Sequence, residues 1–449
     1  MSRVLIKAPV DAPLSTLELA PFDLTNAGRS VPMVWYYHES LNVDALVSAL
    51  EKTLAEYPVF CGRYDGQSPP TNINLNNAGV PVEVSKADVD VAAAFAHIPT
   101  SSEHPSSVFL RTEHEPYVPA KAPMDPDGFS ADAPLLAIKI TTFPQGTAIG
   151  LLVQHCVADA DAAISFVRNW SRVFRGLPLD PKPIHDRGLV DRLFAAEAAA
   201  AGGVGIPAGF KVRVSDGPPK PEFMGVMPTI MGQHSAIVPV TSADLVRIKA
   251  ADSAMLSGGA FVSTDDSLTA RAWKALCEMR CQQLELPSDT ELPTTCSRAW
   301  NFRKRTEPPL GDGYCANAVS QVWSELTVGQ MQTLPFYEVA RRLRESLQAS
   351  TSETVAKRAH YLRTQQKAGT RVVGVYDENA LTFIFSSWRF DWEGAAFEGP
   401  PLCFDHGALV AIACVFVPRP NGDGLNVYAS GPEQSLVAFT KRLLEFVAA

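Results

Sequence analysis

The stretch Leu151-Leu-Val-Gln-His155-Cys-Val-Ala-Asp159-Ala carries the residues best suited to chemistry. An apolar run, 148–153, ends in a histidine, and an aspartate follows four positions later. A histidine at the tip of a buried strand is held by its neighbours and can still face a cleft, which is the placement a general base needs. His155 could take a proton from an alcohol or amine, and the freed nucleophile would attack a carbonyl. Asp159 falls where a helix begins, since Ile164, Val167, Trp170 and Phe174 share one stripe. A carboxylate there caps free N–H groups and suits the helix dipole. Asp159 is therefore expected to be structural, paired with an arginine. Cys156 adjoins the base, but strand alternation sends its side chain to the opposite face.

Other chemistries find little support. The chain has no Gly-x-Ser-x-Gly elbow, so a serine hydrolase is not indicated. Gly202-Gly-Val-Gly205 does not open a helix after a strand, as a dinucleotide loop must. Eight cysteines are scattered without framework spacing; Cys277 and Cys281 lie four apart on a predicted helix, but no partner pair completes a metal site. No metal is expected. A formal net charge of −9 argues against nonspecific nucleic-acid binding. No apolar run reaches membrane-spanning length, so no membrane partner is expected. The N-terminal Met-Ser-Arg-Val-Leu-Ile-Lys lacks a signal-peptide core, which predicts a cytoplasmic protein.

The elements that must hold His155 follow from periodicity. Apolar runs and turn residues predict strands at 31–37, 135–142 and 147–153, the last two joined by Pro144-Gln-Gly146. Helices are predicted at 42–56, with Asn42 as N-cap, and at 161–174. The second half predicts strands at 234–240, 294–303, 316–326, 381–387, 408–418 and 424–430. Its helices fall at 242–251, 265–281, 336–350, 353–367 and 436–447, with Ser263 and Asp266 as a capping box. Between the halves, prolines crowd 178–228. At 449 residues, two domains of roughly 200 residues are the natural division. The expected boundaries are 1–200, a crossover at 201–230, and 231–449, in an α/β architecture.

Several further segments share one origin. Pro134 to Phe143 followed by Gly150 to Asp159 forms a strand pair leading into His-x-x-x-Asp. Leu50 to Arg63 ends in Tyr57-Pro-Val-Phe-Cys-Gly-Arg63. Ser263 to Trp273 opens a helix. Asn301-Phe-Arg303-Lys-Arg305 leads through Pro308-Pro309 to Gly313-Tyr-Cys-Ala-Asn317, and Ser386-Ser387-Trp388 ends a strand. In this order, over nearly the whole chain, these segments resemble the BAHD acyltransferases, the acyl-CoA-dependent O- and N-acyltransferases of plant and fungal metabolism. Two departures stand out. Ala160 follows the Asp where the family has Gly, and the family's Asp-Phe-Gly-Trp-Gly is reduced to Ala396-Phe397-Glu398-Gly399-Pro400. Looseness there resembles fungal-type members.

The resemblance implies two chloramphenicol-acetyltransferase-like domains with a channel between them. Acyl-CoA would enter as co-substrate from one side and a small-molecule acceptor from the other, in a monomer with no permanently bound cofactor. It implies His155 as general base, Asp159 in a structural ion pair with Arg303, and Trp388 donating its indole N–H to the oxyanion with Ser386 assisting. Tyr36 and Tyr37 match acceptor-side positions, of which period-two alternation lets only one face the cleft. The coenzyme A phosphates would be met from among Arg298, Lys304, Arg305, Lys357, Arg358 and Arg363, with Arg303 a weaker member because it is assigned to Asp159. Three other readings remain open: a condensation-type enzyme that takes its acyl group from a carrier protein, although Gln154 stands where such enzymes carry a second His; a non-catalytic binder of the same fold; and a Claisen-type or cyclising activity on the same base.

Overall fold

The computed structural model describes residues 2–9, 15–26, 30–67, 70–101, 104–110, 115–120, 131–200, 205–215, 234–287, 289–374, 381–406 and 413–449. Much of the expected 201–230 crossover and the start of the expected 408–418 strand lie outside them. In chain order the strands of the two large sheets are β1 Ser2–Ile6, β2 Ser30–Tyr37, β3 Val80–Lys86, β4 Ser107–Leu110, β5 Leu136–Thr142, β6 Thr147–Gln154, β7 His234–Val240, β8 Pro293–Asn301, β9 Val319–Thr327, β10 Leu381–Ser387, β11 Cys403–Asp405, β12 Ala413–Pro418 and β13 Leu425–Gly431. The first sheet runs β1-β3-β5-β6-β2-β11 and the second β9-β8-β10-β12-β13-β7-β4. Both are mixed, with parallel pairs β3·β5, β8·β10 and β10·β12 among antiparallel ones.

Each sheet borrows one strand from the other half of the chain. β11 pairs with β2, placing Asp405 beside Val34, and β4 pairs with β7, placing Leu110 beside His234. Neither short strand is marked in the sequence, because each is set at an edge by a partner nearly 130 residues or more away.

β6 is buried at every position, on both faces. One face is covered by α1 Val43–Glu56 and α2 Ala160–Phe174. Asn42 caps α1 through a bond from the Ala45 N–H at 2.9 Å. α2 buries Ile164, Val167 and Trp170, the predicted stripe, and the Trp170 indole donates to the Leu46 carbonyl at 3.0 Å. Phe397, the remnant of the reduced motif, meets Trp170, Phe174 and Tyr37 edge-on at 5.2–5.6 Å, so that segment still anchors α2. The other face of β6 is crossed by backbone. A Cβ on Gly150 would lie 2.0 Å from the Tyr117 carbonyl oxygen, so only glycine fits.

The second sheet is backed by α3 Ser242–Ala254, α4 Thr264–Gln283, α5 Phe336–Gln348 and α7 Glu433–Ala448, with α6 Ser352–Lys367 over a third cluster. Ser263 and Asp266 form the expected capping box on α4.

Candidate active site

β6 ends at Gln154, and the chain turns through His155 to Asp159, with the Val157 N–H closing on the Gln154 carbonyl at 2.9 Å. Cys156, Val157, Ala158 and Asp159 are buried; His155 alone in this turn is half-exposed. Cys156 is directed inward to the Tyr64 hydroxyl at 3.1 Å, and burial pushes its thiol up to about 12. A thiol so buried is a poor nucleophile.

Asp159 caps α2, accepting from the Ala162 N–H at 3.0 Å. It also meets Arg303 as a two-pronged pair, Nη1–Oδ2 at 2.8 Å and Nη2–Oδ1 at 2.9 Å, with both residues 2% exposed. Arg303 donates further to the Tyr314 and Ala316 carbonyls, and Asp159 accepts the Ala318 N–H at 2.9 Å. The carboxylate is engaged by these partners and ties the first sheet to the β8–β9 loop of the second.

Asn317 touches the His155 ring. Its Oδ1 lies 3.2 Å from His155 Nδ1, and its Nδ2 donates to the His155 carbonyl at 2.8 Å and to Asp23 at 2.8 Å. Both acceptors of that amide lack a proton to give, so the side chain cannot be reversed and Oδ1 must face the ring. An oxygen facing Nδ1 requires the proton there, leaving the lone pair on Nε2. Asn317 closes a quoted motif, but nothing in its spacing from His155 announces this contact. Asp23 and Arg187, which form a buried ion pair behind Asn317, carry no local signal at all.

A cavity of about 740 Å³ opens beside the Asp159–Arg303 pair. Its wall includes Asp161 and Arg168 of α2, Arg303 to Arg305, and Ser387 and Arg389 flanking Trp388. Burial raises the Asp161 carboxyl above its ordinary range against the pull of Arg303, and Asn301 donates to it at 2.7 Å. Most cations here are already neutralised. Arg298 pairs with Asp266 at 2.7 Å, Lys304 with Asp312 at 2.8 Å and Arg168 with Asp391 at 3.2 Å, while Arg344 also pairs with Asp266. Among the described residues, Arg305 and Arg389 line the cavity with no carboxylate at ion-pair distance. Arg389 was not foreseen.

Lys357 and Arg358, expected at the phosphates, do not line this cavity. Lys357 pairs along α6 with Glu353 at 2.7 Å. Arg358 is buried and donates to Ser320 Oγ, the Gln321 carbonyl and the Gly209 carbonyl; burial lowers its guanidinium to about 10. Arg298 lines the wall but is 5% exposed and held by Asp266. Arg363 is engaged by Asp191 and Glu18.

Trp388 follows β10, half-buried, its backbone N–H on the Phe416 carbonyl at 2.7 Å. Its indole N–H donates to Ser386 Oγ at 3.0 Å, and its ring lies 4.9 Å from His406. The two tyrosines divide as alternation requires. Tyr37 turns to the helices, its hydroxyl on the Ala395 carbonyl at 2.8 Å. Tyr36 turns to the inter-sheet side, against Phe95 and Tyr117. Burial, then nearby Asp405, push the Tyr36 phenol far up, so it acts only as a neutral group.

A family model described as the Transferase family matches residues 1–443 of this chain. Hydroxycinnamoyltransferase 2 of rice (Oryza sativa subsp. japonica) is 26% identical over 338 residues, covering 71% of each chain. Among solved structures, vinorine synthase superposes with a TM-score of 0.72 at 18% identity, covering 99% of this chain and 97% of that one. The F. graminearum TRI101 complex with coenzyme A and deoxynivalenol gives 0.70 at 17%, covering 94% and 96%.

Proposed function

The chain belongs to this transferase family, the BAHD acyltransferases, whose members use acyl-CoA as co-substrate, and on that premise we propose that it moves an acyl group from acyl-CoA to a hydroxyl or amine of a small-molecule acceptor, with His155 as the base. The observation that carries this reading is the half-exposed His155, its Nδ1 on the Asn317 oxygen, in the turn whose Asp159 pairs with Arg303, a residue that lines a cavity where, among the described residues, Arg305 and Arg389 have no carboxylate at ion-pair distance.

His155 Nε2 takes the acceptor proton as the acceptor oxygen or nitrogen attacks the thioester carbonyl. The C–S bond breaks as the tetrahedral intermediate collapses, and the imidazolium returns its proton to the departing sulfur. Trp388 supplies an indole N–H for the oxyanion, exchanging its bond to Ser386 for one to the developing charge; such a donor is worth roughly 3 kcal/mol of barrier. No acyl-enzyme is involved, since Cys156 is buried. Arg305 and Arg389 meet the coenzyme A phosphates, with Lys304 shared between phosphate and Asp312. Tyr36 belongs to the acceptor side. The enzyme works as a cytoplasmic monomer.

The test is thiol release from a panel of acyl-CoAs, hydroxycinnamoyl-CoA among them, with pooled alcohols and amines, wild type beside His155→Ala. Release that needs an acceptor and disappears in the variant is expected, and the product mass separates O- from N-transfer. Full activity in the variant removes His155 from its role. Release from no donor points instead to a carrier-bound acyl group or to a non-catalytic binder.

A further inference from the structure

We propose that the buried Asp23–Arg187 pair is a positioning device that sets the tautomer of the catalytic base through Asn317. The inference rests on His155 being that base.

Asp23 lies in the turn ahead of the short 3-10 helix Leu24–Asn26, and its side chain is fully buried. Its carboxylate accepts four donors. Oδ2 takes the Ala20 N–H at 2.7 Å and the Arg187 guanidinium; Oδ1 takes the Asn317 N–H at 3.0 Å and Asn317 Nδ2 at 2.8 Å. Only a carboxylate offers two oxygens that both accept and never donate. That excess of acceptor capacity, together with the His155 carbonyl, turns the NH₂ of Asn317 toward Asp23 and its oxygen toward the His155 ring. Arg187, 3% exposed, completes the arrangement. It neutralises Asp23 and donates at 2.6 Å to the carbonyl of Val157, inside the turn that presents His155. Asp23 and Arg187 thus hold the amide and the turn at once, and neither touches the ring.

Replacing Asp23 with Asn keeps the shape and removes one accepting oxygen. Four donors then face a single oxygen and an NH₂ group. The Asn317 side chain, the one donor free to rotate, then keeps only the His155 carbonyl to fix its orientation. When it turns over, its NH₂ faces Nδ1, the ring proton moves to Nε2, and the lone pair that must take the acceptor's proton is lost.

The experiment is histidine-selective ¹⁵N NMR with steady-state kinetics on the full chain. Nine histidines are present, so the His155 signals are assigned by their loss in His155→Ala. Wild type is expected to show Nδ1 protonated and Nε2 bare. Asp23→Asn is expected to shift His155 toward the opposite tautomer and to lower kcat by about 10- to 100-fold, the worth of one lost buried hydrogen bond. The KM values for donor and acceptor should hold, whereas a merely structural defect would lower the folded fraction without moving the tautomer. Should Asp23→Asn fail to fold, Arg187→Lys is read the same way, with a fall of about 10-fold; it keeps the charge but loses the fork that reaches Asp23 and Val157 together. A wild-type His155 protonated on Nε2, or a folded variant with wild-type tautomer and kcat, overturns the inference. His155→Ala separates the two claims. Full activity there removes the base itself, whereas an inactive His155→Ala beside an unaffected Asp23→Asn removes only the positioning.

Discussion

Two buried Asp–Arg pairs flank the turn that presents His155, and they take hold of consecutive backbone N–H groups. Asp23 accepts from Asn317 and Asp159 from Ala318. The chemistry is the same and the consequence differs. Asp159 and Arg303 hold a helix start, two carbonyls and a loop N–H, with the Asn301 and Asp161 side chains beside Arg303 at 3.5 Å. Asp23 and Arg187 hold backbone as well, but one of their side-chain partners, Asn317, itself faces the His155 ring. An ion pair acts on stability when its partners are fixed anyway, and on chemistry when one partner could otherwise turn. A buried pair adds little net stability, but removing one partner strands the other charge.

Variants on the two sides should therefore fail differently. The largest effect belongs to His155, where both pairs converge: His155→Ala is expected to lower kcat/KM by roughly 10²–10⁴ with an unchanged melting curve. Asp159→Ala leaves Arg303 buried without its carboxylate and should lower the unfolding free energy by about 3–5 kcal/mol in a urea titration. The molecules that remain folded should keep most of their kcat. A large fall in kcat at full stability would erase the contrast between the pairs. Trp388→Phe keeps the ring and removes the N–H; a fall in kcat of roughly 10²–10³ with unchanged donor KM is expected. The same contrast between engaged and available groups extends to the cavity. Arg389→Ala or Arg305→Ala should raise the KM for acyl-CoA about tenfold, an effect that shrinks as salt is added. Lys357→Ala should change stability by no more than about 0.5 kcal/mol and leave that KM alone. A rise in KM there would move the phosphates to α6.

The elements around the site were largely legible, although β1 and the seven-residue β3 are not among the predicted strands, and the two shortest omissions share a cause. β7 and β10 fall where alternation and turn residues put them, and Asn42, Asp159 and Ser263 cap the helices expected of them. Such signals are local, arising from residues a few positions apart. β4 and β11 went unseen because three or four residues carry no period, and their pairing is decided by an edge built elsewhere in the chain. The cations failed for a related reason. Arg358 and Lys304 read alike in sequence, but one is buried under Phe210 and the other lines a cavity. Which cation stays available depends on which aspartates arrive beside it.

The amino-acid order by itself determined the candidate base, its strand, the helix behind it and the family, because each is written in residue types at short spacing. Tertiary structure alone decided how His155 is held and which side chain stands against its Nδ1. Those depend on Asn317, Asp23 and Arg187, which lie 162, 132 and 32 positions from His155 in the chain yet form one continuous set of hydrogen bonds around it. Hydrogen bonds act over about 3 Å, and only the folded chain sets such distances between remote residues.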